Sequence, residues 1–212
     1  MNLREQSCVK DNQPHPETAG LFACFTHSAQ NSVSTKHRLR VTHDGVRIIA
    51  IDPSLRSTGF AVLESIGSKI RALEYGAVKN AAALRQTQCL VSIHARIADV
   101  IARHSPECAV FEAVIFVQSY RTAIVLGAAR GAALVAAAEK GLPIYEYAPR
   151  RVKQSVVGRG GAPKEQVAFM VRALLGLTET PQADAADALA IGLTHFKTAE
   201  SAAAGVGELK RI

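Results

Sequence analysis

An unbroken apolar run, Ile48-Ile49-Ala50-Ile51, closes on a single acid, Asp52, and Pro53 then cuts it off. A run this short, with no polar face, reads as a strand buried on both sides, so helices must cover it above and below. A second run, Cys108-Ala109-Val110-Phe111, ends in the same way on Glu112. Acids at the ends of buried strands are costly unless a metal or hydrogen-bond donors offset them.

The rest of the chain supplies the covering layers. Residues 46–52, 59–64 and 69–79 read as three strands, the last two joined as a hairpin through Ile66-Gly67-Ser68. Across 82–104, apolar residues recur at helical spacing (Leu84, Leu90, Val91, Ile97, Val100, Ile101). A strand is expected at 108–112, a helix at 119–140 stopped by Gly141 and Pro143, and a fifth strand at 144–147. Three more helices are expected at 150–157, 164–175 and 183–196. That order predicts an α/β fold, a five-stranded mixed sheet flanked by helices. A ribonuclease-H-like architecture fits it, although periodicity alone does not separate it from other α/β sheets.

Residues 1–45 stand apart: they are rich in Ser, Thr, Asn, Gln and His, hold Pro14 and Pro16, and show no sustained periodicity. They read as a disordered N-terminal extension, and Glu5, Asp11 and Glu17 argue against an organelle transit peptide. Residues 46–197 are expected to form one folded domain, and 198–212 a flexible tail. The formal net charge of +7 leans toward a polyanionic partner without naming one. Cys8, Cys24, Cys89 and Cys108 lack CxxC spacing and read as reduced thiols of a cytoplasmic protein. No stretch is expected to span a bilayer and no secretory signal pattern opens the chain, so no membrane partner is expected.

Two further acids, Asp184 and Asp187, lie three residues apart in an alanine-rich helical stretch and share one helix face. Their small neighbours, Ala183, Ala185, Ala186, Ala188 and Ala190, let that helix approach a sheet closely. If Asp52, Glu112, Asp184 and Asp187 converge, they make an oxygen-rich site for hard divalent cations. Two such ions about 3.5–4 Å apart suit phosphodiester hydrolysis, which is the frame of a metal-dependent nuclease. Taken singly, each acid has a plainer reading: Asp52 capping a turn, Glu112 pairing with an arginine, Asp187 solvated. Between Pro149 and Arg172 stand Arg150, Arg151, Lys153, Arg159 and Lys164, interrupted by Gly158, Gly160 and Gly161. Such a segment either is a solvated face or tracks a DNA backbone.

Four strings carry a specific resemblance. They are Ile51-Asp52-Pro53-Ser54-Leu55-Arg56-Ser57-Thr58-Gly59, Leu126 to Gly131, Tyr145 to Gly158, and Pro181-Gln182-Ala183-Asp184-Ala185-Ala186-Asp187. Together they resemble the RuvC family of Holliday-junction resolvases, over roughly Arg47 to Phe196. The resemblance implies a ribonuclease-H-like homodimer that acts on four-way junction DNA and nicks two opposed strands symmetrically. It implies Mg²⁺, two ions per subunit with Mn²⁺ as a substitute, held by Asp52, Glu112, Asp184 and Asp187. Lys153 and Lys164 match lysines that the family sets near the scissile phosphate, and a RuvAB branch-migration complex is an implied partner. The family commonly has Glu-Gln and then an aromatic that stacks on a junction base. Here Glu112-Ala113-Val114-Ile115-Phe116 lacks the glutamine, leaving Phe116 or Tyr120 as the wedge. Asp52-Pro53-Ser54 also replaces the commoner Asp-Pro-Gly.

The helix at 119–140, apolar nearly all round with Gly127 and Gly131 four apart, either packs within the chain or makes a two-fold contact. His195 either serves the site, by assisting proton transfer or facing the metals, or is solvated. Two rival functions remain open. An actin-like or sugar-kinase nucleotide binder also opens with an apolar strand, an aspartate and a Gly/Thr turn, but needs a second lobe and gives Asp184 and Asp187 no role. A non-catalytic junction-binding protein would not need all four acids.

Overall fold

The computed structural model describes residues 45–115, 119–206, 209 and 211–212. Residues 1–44 of the expected extension, and Phe116, lie outside the described residues. Strands β1 (Val46–Asp52), β2 (Ser57–Ile66), β3 (Lys69–Lys79), β4 (Cys108–Glu112) and β5 (Ile144–Tyr147) form one sheet in the order β3-β2-β1-β4-β5. β1 pairs antiparallel with β2 and parallel with β4; β2 pairs antiparallel with β3, and β4 parallel with β5. The mixed five-stranded sheet expected from the sequence is the one observed.

Alternation along β1 explains both layers. Ile48 and Ala50 face one side, with Leu63, Val110 and helix α5 (Ala183–Ala203). Ile49 and Ile51 face the other, with Phe60, Phe111, helix α1 (Gln86–His104) and helix α2 (Tyr120–Ala138). All four β1 residues are fully buried, and burying each isoleucine side chain stabilises by about 1.5–3 kcal/mol. Helices α3 (Pro149–Val157) and α4 (Lys164–Leu175) complete the α5 side through Val152, Val156, Val167 and Val171. Helix α5 lies close because its facing residues are small: a Cβ at Gly192 would overlap Leu63 and stand 3.3 Å from the Ala50 Cβ.

Four expectations need correction. β2 begins at Ser57, two residues earlier than expected, because its polar start still pairs with the end of β3 (Ser57 opposite Lys79). α1 begins at Gln86, not near Ala82. Arg56 donates to the Ala81 and Leu84 carbonyls at 2.7 and 3.1 Å, and those residues form a turn instead. α5 runs past Phe196 to Ala203, and the supposed tail is tied down: Arg211 bridges to Tyr145 and the Ile212 amide donates to the Ile144 carbonyl at 3.0 Å. Finally, α2 is by length and composition apolar enough to cross a membrane. Its Ala129, Ala133, Ala136 and Ala137 are buried against the sheet and α1, which accounts for the apolar composition of that face without a bilayer.

Candidate active site

The parallel pairing of β1 and β4 sets Ile51 opposite Phe111, so the next residues on each strand, Asp52 and Glu112, are neighbours at the same sheet edge. Both continue the alternation that faces α5. On the other side of β1, Asp52 pairs with Gly59 of β2. The first turn of α5 rests on that glycine, where a Cβ would overlap the Asp184 carbonyl. Topology thus delivers Asp52, Glu112 and Asp184 to one place, and one helical turn adds Asp187. Asp184 also sits in the first turn of α5, where the helix dipole favours an anion.

The electrostatics record this crowding. Burial pushes the Asp52 carboxyl up to about 7, with the charges of Glu112 and Asp187 adding to it. Burial, then Asp187, also raises Glu112, while Lys164 and Lys153 pull it back. Two of the acids have partners of their own. Asp184 Oδ2 accepts from the Ser57 hydroxyl, and Asp187 Oδ2 accepts from Lys164 Nζ at 3.0 Å. That second pair is open to water, with the lysine side chain 69% exposed, so it adds little to stability. Hydrogen bonding to Asp187 raises Lys164 further.

Among the described residues, no three acids stand close enough to close on one ion. The donor set nevertheless suits a divalent cation. Asp52 and Glu112 are destabilised in their charged forms by burial and mutual repulsion, and a cation would relieve both. Beside them a cavity of ≈ 280 Å³ is lined by Pro53, Ala113, Val114, Ile115, Leu126 and Pro149 as well as Asp52 and Glu112. It gives the acids an apolar-walled mouth.

The basic residues divide. Lys153 and Lys164 are near enough to act on the Glu112 charge. Arg150 and Arg151, in the first turn of α3, are exposed, as is Arg159 in the loop beyond Gly158. Tyr120, at the start of α2, is 83% exposed and able to stack on a base. His195 does neither thing expected of it: it is fully buried, with its ring 4.9 Å from that of Tyr145, Tyr147 Oη 3.0 Å from Nδ1 and Cys108 Sγ 3.6 Å from Nε2. Cys108 begins β4 and Glu112 ends it, and about 16 Å of α5 separates His195 from Asp184. Burial pushes that imidazole down to about 4, so it is a neutral core group. Sequence reasoning missed Ser57: a lone serine carries no pattern, and only the folded sheet brings it to Asp184.

A ribonuclease-H-like sheet with four acids gathered at the ends of its central strands defines a class of nucleases. A family model described as "Crossover junction endodeoxyribonuclease RuvC" matches residues 48–195, and the chain belongs to that family. A relative of the same name from Akkermansia muciniphila is 52% identical over 167 residues, covering 79% of this chain and all of the relative. Another from Edwardsiella ictaluri is 43% identical over 155 residues, 73% of this chain and 89% of the relative. Among solved structures, T. thermophilus RuvC in complex with a Holliday junction substrate matches with a TM-score of 0.71 at 39% identity, over 79% of this chain and 99% of that one. The yeast mitochondrial Holliday junction resolvase Ydc2, with a TM-score of 0.52 at 11% identity over 72% of this chain and 78% of that one, shares the fold. Nucleases of the RuvC family depend on divalent metal. Membership decides against the nucleotide-binding alternative.

Proposed function

We infer that this chain is a structure-selective endodeoxyribonuclease that resolves Holliday junctions in homologous recombination and DNA repair. The observation that carries the reading is the meeting of Asp52, Glu112, Asp184 and Asp187, from three distant stretches, at one edge of a sheet in a RuvC-family chain. These four residues would hold Mg²⁺, two ions per subunit, with Mn²⁺ able to substitute. Bound there, the cations supply the positive charge that eases attack of water on a scissile phosphate and departure of the leaving oxygen. The chain's own part is to hold the acids fixed and screen them from bulk water. Lys153 and Lys164 neutralise charge that grows on the phosphate as the bond breaks, leaving 5′-phosphate and 3′-hydroxyl ends. Arg150, Arg151 and Arg159 hold the DNA backbone without reading sequence. Tyr120 or Phe116 stacks on a junction base, a contact worth about 1–3 kcal/mol.

A homodimer matches the two-fold symmetry of the four-way junction. α2 supports it: Ile124 and Val135 are exposed, and Gly127 and Gly131 have nothing within 4 Å of a Cβ built on either. Work in the cytoplasm beside a RuvAB branch-migration complex, without a membrane, completes the reading. The folded core at 46–197 carries the activity, and residues 1–45 are an accessory extension. The test is incubation with a labelled four-way junction, a linear duplex and a fork, with and without Mg²⁺. Nicking should be confined to the junction and the cation, and Asp184→Asn should abolish it while leaving junction binding intact. Cleavage retained by that variant refutes the site. Junction binding with no nicking by the native chain favours a scaffold instead.

A further inference from the structure

The two carboxylates of α5 are held in unlike ways. Asp187 is bonded to Lys164, a long, exposed side chain that costs little to displace. Asp184 is seated on β2 at two points. Gly59 lies directly beneath its backbone, where a Cβ would come within 2.7 Å of the Asp184 carbonyl carbon. Two residues earlier on the same strand face, the Ser57 hydroxyl donates to Oδ2 across a sequence separation of 127 residues. Glycine sets how near the helix comes, and serine sets which way its acid points.

We propose that Ser57 is a positioning residue for the cation site. It fixes the rotamer of Asp184 before any ion arrives and engages Oδ2, so that Oδ1 is the oxygen offered. The proposal rests on the reading of Asp184 as a ligand. Its physical basis is general: donors that orient a ligating carboxylate remove the entropy of ordering it, and losing one typically costs about 10–100-fold in metal affinity. Offering one oxygen also suits a small octahedral ion. Ca²⁺, by contrast, accepts both oxygens of a carboxylate in its looser shell.

The experiment titrates Mn²⁺ alone, and separately Ca²⁺ alone, into the full chain. Free Mn²⁺ is followed by electron paramagnetic resonance and both ions by calorimetry, for the native chain, Ser57→Ala, Ser57→Thr and Asp184→Asn. Ser57 is half-buried at a strand start, and thermal unfolding of each variant checks that the fold is kept. Ser57→Ala should weaken Mn²⁺ about tenfold and Ca²⁺ less, because the released carboxylate can turn both oxygens to the larger ion. Ser57→Thr, which keeps the hydroxyl, should bind Mn²⁺ within about twofold of the native chain. Native-like Mn²⁺ binding by Ser57→Ala, with Asp184→Asn defective, overturns the positioning role alone. So does failure of threonine to rescue. Native-like binding by Asp184→Asn removes the reading underneath.

Discussion

Asp52 is where the conflict between folding and function is sharpest. Burial and its neighbours' charges push its carboxyl up to about 7, against an ordinary value of 3.8. Between about pH 4 and pH 7 the folded state therefore keeps a proton that the unfolded chain has released. The stability due to this group is full below about pH 4 and is lost as pH rises through about 7. Asp52→Asn cannot lose it. In EDTA the variant should match the native chain near pH 4 and exceed it at pH 8 by up to about 4 kcal/mol, read from denaturant unfolding. Added Mg²⁺ at pH 8 should stabilise the native chain more than the variant. Superimposable pH profiles would show that Asp52 is not strained. The four acids were legible because each interrupts an apolar pattern. The Ser57–Asp184 and Lys164–Asp187 contacts were not, since each joins elements whose meeting depends on the whole sheet.

Among the elements, α3 and α4 break a local rule at their starts. Arg150 and Arg151 stand in the first turn of α3 and Lys164 opens α4, where the helix dipole repels cations. In α3 no acid in the first turn offsets the conflict, and in α4 only Glu165 does, a pattern expected at functional sites. If these helices hold phosphates, each lysine lost should remove about one released counterion. Lys153→Ala and Lys164→Ala should each flatten the slope of log affinity against log salt by about 0.9, measured by anisotropy with a labelled junction. An unchanged slope returns that lysine to the solvated face. Strand and helix order were readable because β1, β4 and α1 repeat their apolar residues cleanly. The start of α1 escaped because Arg56, from the distant β1–β2 loop, occupies the Ala81 and Leu84 carbonyls. The start of β2 escaped because Ser57 and Thr58 are polar; Thr58 is nonetheless buried, its hydroxyl donating to the Ser54 carbonyl at 2.6 Å.

For the whole molecule the open question is what covers the outward stripe of α2. Ile124, Gly127, Gly131 and Val135 recur at helical spacing on the side away from Ala129, Ala133 and Ala137. Within a single chain the two glycines are a liability, since alanine in a helix interior is better by about 0.8–1.0 kcal/mol at each. Nothing within 4 Å would obstruct the added methyl groups. Their absence makes sense if a second copy of the helix crosses there, backbone against backbone. Gly127→Ala with Gly131→Ala should then act in opposite directions on the two properties. Thermal unfolding of dilute protein, as monomer, should shift upward. The dimer dissociation constant, from light scattering or analytical ultracentrifugation, should rise at least about tenfold, a loss of about 1.4 kcal/mol. On a junction cut by separated subunits, singly nicked intermediates should accumulate, since the second site is no longer held across the two-fold axis. Greater monomer stability with unaltered dimerisation would place the interface elsewhere. The paired outcome cannot arise from misfolding, which lowers both.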